Sequence, residues 1–151
     1  MAVTAADYDA IYKARPGKWN TPARDDFAYR AINRYQGQPD SVLDIGCGNG
    51  HTIAYLKDLW FGTRFTGIDL SGEAIRLCEQ KAPEAQFYKA EFGTVKLPGK
   101  FEVVLLMGVA EHFEDITEGL RQAADLLEPE GIIYLEAPNN LAMSGRWQEG
   151  W

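Results

Sequence analysis

The chain has 151 residues, 46% of them hydrophobic, 12% aromatic and 25% charged, a composition that suits one globular domain with a sizeable core. Its net charge of −7 is uneven: residues 1–40 carry six Lys and Arg against five Asp and Glu, residues 41–151 nine against seventeen. An acidic body repels phosphate backbones, no apolar run is long enough to span a bilayer, and two cysteines make neither a disulfide framework nor a metal knuckle, so nucleic-acid, membrane and metal roles are not expected.

Met1 to Tyr12 carry acids and tyrosines instead of a charged-then-apolar leader, so a cytoplasmic domain with reduced thiols is expected. Residues 1–15 predict a short helix that Arg15-Pro16-Gly17-Lys18 breaks. Thr21-Pro22 predicts an N-cap and first helical position; Phe27, Ala28, Ala31, Ile32 and Tyr35 follow at helical spacing until Gly37 and Pro39. From Ser41 onward the chain alternates. Strands are predicted at Ser41–Ile45, Arg64–Leu70, Gln86–Ala90, Phe101–Met107 and Gly131–Ala137, with helices at His51–Trp60, Ser71–Lys81 and Ile116–Glu128. Glu91 to Gly99 reads as a loop. Val103-Val104-Leu105-Leu106 has no polar face, as a central parallel strand covered on both sides requires. The rhythm predicts an α/β fold, a doubly wound Rossmann-like sheet of about five parallel strands in the order 3-2-1-4-5, with its ligand edge at the strands' carboxyl ends. Residues 1–40 are expected to form a helical cap or lid and 41–151 the core.

The first strand runs into Asp44-Ile45-Gly46-Cys47-Gly48-Asn49-Gly50, and a helix follows at once. Glycines there let the backbone turn tightly and let a ligand approach where a Cβ would collide. The G-x-G-x-x-G spacing of dinucleotide-binding proteins would put glycine at His51 and a Walker loop would end in Gly-Lys-Ser/Thr; neither is present. Asp69, at the tip of the neighbouring strand about twenty residues on, is placed to accept the hydroxyls of a ribose, while Ser71 caps the next helix.

With these residues in view, the chain resembles class I S-adenosylmethionine-dependent methyltransferases over residues 41–140. VLDIGCGNG resembles the family's first motif, GIDLS the acidic end of its second strand, LPGKFEVVLLMGVAEHFED its fourth-strand block and LEPEGIIYLEAPN the helix and strand after it. The resemblance implies S-adenosyl-L-methionine as cofactor and S-adenosyl-L-homocysteine as product. It further implies that Asp44 and the Gly46 backbone hold the methionine ammonium group, with Gly48, and Cys47 between them, keeping the loop close. Asp69 would bind the ribose, Leu70 flank the adenine, Glu91 accept from the adenine amine, the Phe92 amide face a ring nitrogen, and Met107 and Gly108 line the floor beside the sulfonium. Two positions depart from the family pattern: Ala90-Glu91 where Gly-Asp is common, and Phe101-Glu102 where Phe-Asp is usual.

Glu111-His112 follows the fourth strand at the open edge. A histidine there can take a proton from the acceptor as the methyl arrives, or can simply pack or cap the next helix. Tyr8 and Tyr12 recur at helical spacing; they either pack the first helix or, as the resemblance suggests, fold over the donor as a lid. The Asn/Asp-Pro-Pro-Tyr/Phe signature of base amino-methyltransferases and the Pro-Cys nucleophile of cytosine chemistry are missing, which leaves a small-molecule acceptor attacked through oxygen or nitrogen. The alternatives are a non-catalytic S-adenosylmethionine- or S-adenosylhomocysteine-binding module, or a fragment of a larger methyltransferase. Asn139 to Trp151 leave no room for the family's two later antiparallel strands, so the fifth strand is expected either to self-associate or to be covered by Leu141 to Trp151.

Overall fold

The computed structural model describes residues 3–138. Helix α1 spans Ala5–Ala14, shorter than expected because Thr4 closes a capping box with Asp7: the Asp7 carboxylate accepts the Thr4 N–H at 2.8 Å and the Asp7 N–H points back to Thr4 Oγ1. Helix α2 (Pro22–Tyr35) starts at its proline, but Thr21 does not cap it with its side chain; the hydroxyl instead donates to the Trp19 carbonyl. Strands β1 (Ser41–Ile45), β2 (Arg64–Asp69), β3 (Gln86–Lys89) and β4 (Phe101–Met107) and helices α3 (His51–Leu59) and α4 (Gly72–Lys81) fall within a residue of their predicted ends.

The last two elements differ more. Helix α5 (Ile116–Asp125) stops three residues early and β5 (Leu127–Glu136) begins four residues before Gly131. Pro129 lacks an N–H and turns the residue before it away from helical geometry, so the helix cannot run on. Leu127 then pairs with Phe101, the register slips before Val103 pairs with Ile132, and Glu130 absorbs the irregularity at φ 65°.

All neighbouring strands are parallel and the order is β3-β2-β1-β4-β5, as the sequence predicts. Alternation along β1 and β4 sends Val42, Val103 and Leu105 to the face that α2 and α3 cover with Ala28, Ile32, Ile53 and Leu56. Leu43, Ile45, Val104 and Leu106 go to the other face, with Ala123 of α5. Each such large side chain contributes about 1.5–3 kcal/mol of burial. Among the described residues β5 is the sheet's outer strand and Leu135 is exposed. Leu141 to Trp151 lie outside the described residues.

Candidate active site

The site is built where β1 and β2 end. Gly46, Gly48 and Gly50 take φ of 72°, 55° and 73°, left-handed values that disfavour any side chain. The Ile68 carbonyl accepts the N–H groups of Gly46 and Cys47 at 2.8 and 3.0 Å. Asp69 completes the tie: one carboxylate oxygen accepts the Gly48 N–H and the other the Ser71 N–H, both at 2.9 Å. Each oxygen keeps a lone pair for a further donor. Burial raises the Asp69 pKa, and these two N–H groups hold it down.

Asp44 lies one residue before the end of β1, 2% exposed, and its carboxylate takes no hydrogen bond among the described residues. Burial, with the neighbouring Asp25 charge, pushes its pKa up to about 8 against the pull of Arg24.

Helix α1 straps across this edge. Asp9 Oδ1 accepts the Ser71 hydroxyl at 2.5 Å and the Glu73 N–H at 3.0 Å, at the start of α4. Tyr12 lies over the glycine loop, its hydroxyl 2.7 Å from where a Cβ on Gly48 would stand, and burial raises its pKa. Trp19 packs 5.0 Å from Tyr12 and 6.2 Å from Tyr8, centroid to centroid. Tyr8 meets the His112 ring edge-on at 6.5 Å. Asn49 donates to the Pro16 carbonyl and to Asn20 Oδ1, fastening the α1–α2 link to the glycine loop.

The other predicted residues gather on the same edge. Leu70 follows Asp69, half-buried, and Glu91 is exposed just past β3. Phe92 stacks on Phe113 at 5.8 Å, and its N–H has no partner among the described residues. Met107 ends β4 and Gly108 follows at φ 68°. Glu111 and His112 form a short 3-10 turn, Ala110–His112. Cys47 turns its side chain away, packing where a Cβ on Gly67 would meet it at 2.8 Å and 3.8 Å from the Cys78 sulfur, so only its backbone borders the site. His51 begins α3 with Nε2 3.5 Å from the buried Asp25 carboxylate, which also accepts the Thr52 hydroxyl at 2.8 Å.

Arg24, Asp9, Trp19 and Asn49 escaped the sequence reading. Arg24 reaches from α2 to within 3.2 Å of the position a Cβ on Gly108 would take, with Nε 2.9 Å from a Glu136 oxygen, an ion-pair contact without hydrogen-bond alignment. Nothing in the periodicity of α2 marks this residue; only the packing of α2 on the sheet aims it. A cavity of about 500 Å³ opens at the opposite, amino edge, by Trp60, Arg64 and Phe101, and none of the site residues lines it. Helices α3 and α4 end at that side, and among the described residues no carboxylate there holds a pair of backbone N–H groups as Asp69 does.

The family model described as "Methyltransferase domain" matches residues 21–151. The chain belongs to this methyltransferase family, with the class I S-adenosylmethionine-dependent core. Trans-aconitate 2-methyltransferase of Rhodopseudomonas palustris (strain BisB18) is 29% identical over 137 residues, 90% of the chain and 52% of that protein. Ubiquinone biosynthesis O-methyltransferase of Albidiferax ferrireducens is 33% identical over 105 residues, 65% of the chain and 41% of that protein. The methyltransferase domain thus spans about half the length of the curated relatives it matches. Among solved structures, the plantazolicin methyltransferase BpumL in complex with a pentazolic desmethylPZN analog and SAH superposes with a TM-score of 0.74 at 25% identity, covering 89% of this chain and 57% of that one. The sugar N-methyltransferase KedS8 from Streptoalloteichus sp ATCC 53650 shares the fold, at a TM-score of 0.70 and 23% identity over 87% of this chain and 53% of that one.

Proposed function

We propose that this chain is the donor-binding and catalytic part of an enzyme that moves a methyl group from S-adenosyl-L-methionine to an oxygen or nitrogen of a small molecule, leaving S-adenosyl-L-homocysteine. The observation that carries the reading is the pair of carboxylates at adjacent strand tips. Asp44 is buried without a partner among the described residues, fit for an ammonium group; Asp69 is held by two backbone N–H groups with acceptor capacity left for two hydroxyls.

When bound, the donor supplies a methyl group already activated by positive sulfur. Asp44 and the Gly46 carbonyl hold the ammonium, and Gly48 keeps the backbone close, with the Cys47 backbone between. Arg24 offers its guanidinium to the methionine carboxylate. Asp69 accepts from the ribose, Leu70 flanks the adenine, Glu91 accepts from its amine and the Phe92 N–H donates to a ring nitrogen. Met107 and Gly108 form the floor, and Tyr12 closes the site from above. His112, beside Glu111 at the mouth, takes the acceptor's proton, and much of the rate comes from positioning. Within residues 1–40, α1 acts as the cap over the 41–151 core, while α2 packs on the sheet of that core.

The relatives' names and the SAH held by BpumL support this reading. No helix among the described residues is long and apolar enough to cross a membrane. The partner is a small-molecule acceptor met in the cytoplasm, and copies associate through the outer edge of β5. Sedimentation checks that association: a dimer that Leu135→Lys disperses supports it, and a monomer at every concentration refutes it. Calorimetry with S-adenosylmethionine, S-adenosylhomocysteine and NADH tests the donor reading, with binding of the first two and not the third expected. A folded chain that binds neither sulfur nucleoside overturns it. Donor binding without turnover across an acceptor panel would leave the non-catalytic module instead.

A further inference from the structure

We propose that the mouth of this site selects an acceptor carrying a protonated amine, held between the Glu111 carboxylate and the faces of Tyr8 and Trp19. The proposal rests on the methyltransferase reading above and names the acceptor class that reading leaves open.

Three observations converge. First, Tyr8 stands between two other rings, Trp19 at 6.2 Å and His112 at 6.5 Å, while Tyr12 backs Trp19 at 5.0 Å. Ring faces carry negative potential and attract ammonium groups. Second, one of these rings already holds such a group: the Lys18 ammonium lies 4.6 Å from the Trp19 centroid. Third, two carboxylates act on the Tyr8 hydroxyl: Asp69 and Glu111 both help raise its pKa, behind burial itself, and the acceptor's ammonium competes for the rings with the exposed Lys18, which lies on Trp19. The Arg24 guanidinium lies against Glu136 and Gly108, on the donor side of the site. An anionic acceptor meets the Asp69 and Glu111 charges here, and a neutral alcohol can donate a hydrogen bond to the carboxylate but lacks the charge that strengthens it and that the ring faces attract.

The chemistry balances with groups on the page. The ammonium gives one proton to the His112 imidazole, the freed nitrogen lone pair forms the new N–C bond, and the electron pair of the broken C–S bond stays on sulfur.

The test uses the whole chain saturated with S-adenosylhomocysteine and titrated with benzylamine, benzyl alcohol and benzoate, three probes of one size and different charge. Benzylamine is expected to bind at least about tenfold more tightly than the alcohol, and benzoate more weakly still. Glu111→Gln and Trp19→Leu are each expected to lower benzylamine affinity by about threefold to tenfold, with melting curves confirming that both variants fold. Failure of S-adenosylhomocysteine to bind, read first in the same calorimeter, overturns the methyltransferase reading beneath. Its binding together with benzoate or benzyl alcohol matching benzylamine, or with benzylamine indifferent to both substitutions, overturns the amine proposal alone.

Discussion

Asp69→Asn is the most informative single change, because the structure separates what Asp69 does for the fold from what it offers a ligand. Each carboxylate oxygen accepts one backbone N–H at 2.9 Å, from Gly48 or from Ser71, and keeps one lone pair. Alanine would orphan both N–H groups and mix a folding defect into any loss of binding. Asparagine keeps one oxygen for one of them. Its amide nitrogen cannot accept, so one ribose hydroxyl loses its acceptor, and the hydrogen bond to the other loses its charge. Two charge-assisted bonds reduced to one neutral bond cost about 2–4 kcal/mol, or about 30- to 1,000-fold in affinity. The folded state loses less, about 1–2 kcal/mol, from the single backbone N–H left without a partner. Calorimetry with S-adenosylhomocysteine, run beside thermal melting, reads the two effects separately. A folded variant that binds within about threefold of the parent would remove Asp69 from the site.

Four further outcomes follow from the same geometry. Asp44, with its pKa pushed to about 8, carries its proton at pH 7 in the unliganded fold, whereas an ammonium needs the carboxylate; S-adenosylhomocysteine affinity should therefore rise with pH up to about 8, and calorimetry in buffers of different ionisation enthalpy should find close to one proton released per site at pH 7. The raised pKa also makes the unliganded protein lose stability as pH climbs from 3.8 towards 8, since the charge is easier to carry unfolded, and Asp44→Asn should flatten that slope in pH-dependent melting. Gly46→Ala puts a Cβ 2.6 Å from Val109 Cγ2 and 2.8 Å from Val109 Cβ at φ 72° and should destabilise by at least about 1–2 kcal/mol in denaturant titration; Val109→Ala removes the Cγ2 contact but neither the Cβ contact nor the backbone strain, so only a small part returns. His112→Gln should cut the methylation rate about a hundredfold or more with donor affinity unchanged if the imidazole is the base, and a rate within about twofold would favour the packing role.

The sheet was legible because its signals are local. Apolar runs bounded by glycines mark β1 and β4, and the glycine loop and Asp69 mark the ends of adjacent strands, so order and edge followed. The β5 start was not legible: Leu126-Leu127-Glu128 reads equally as the last turn of a helix, and only pairing of Leu127 with Phe101 decides it. Thr21 shows the limit of a cap signal, since its hydroxyl donates to the Trp19 carbonyl and accepts no N–H from the first turn of α2. The site divides the same way. Asp44, Gly46, Gly48 and Asp69 lie on the motifs themselves, whereas Arg24, Trp19 and Asp9 reach them through contacts between elements far apart in sequence, which no period of 3.6 or 2 encodes; Asn49 lies in the motif, but its partners Pro16 and Asn20 do not. Cys47 lies within the motif, but the packing room left by Gly67 turns its side chain into the core.

The two N-terminal helices hold the site with unequal strength, and that decides which of them can open. Helix α2 buries Asp25, Ala28 and Ile32, the last two at 0% exposure against the sheet, so Arg24 is carried on an element that belongs to the core. In α1, by contrast, Tyr12 is the one buried side chain, and the other holds are the Asp9 contact with Ser71 and Glu73 and the Tyr8 ring against His112. Between them Arg15-Pro16-Gly17-Lys18 forms a short turn, with the Lys18 N–H donating to the Arg15 carbonyl at 3.1 Å, and Asn49 ties it to the glycine loop at Pro16 and Asn20. Access to the glycine loop therefore costs the Tyr12 and Asp9 contacts while Arg24, Asp25 and Asp44 keep their places. The charged half of the site stays assembled and the aromatic half closes over whatever enters. Hydrogen exchange should accordingly find the amides of α1 exchanging well ahead of those of α2 in the free protein, and slowed by S-adenosylhomocysteine. Equal protection of the two helices, with no change on adding the nucleoside, would mean that α1 is a fixed wall instead of a strap.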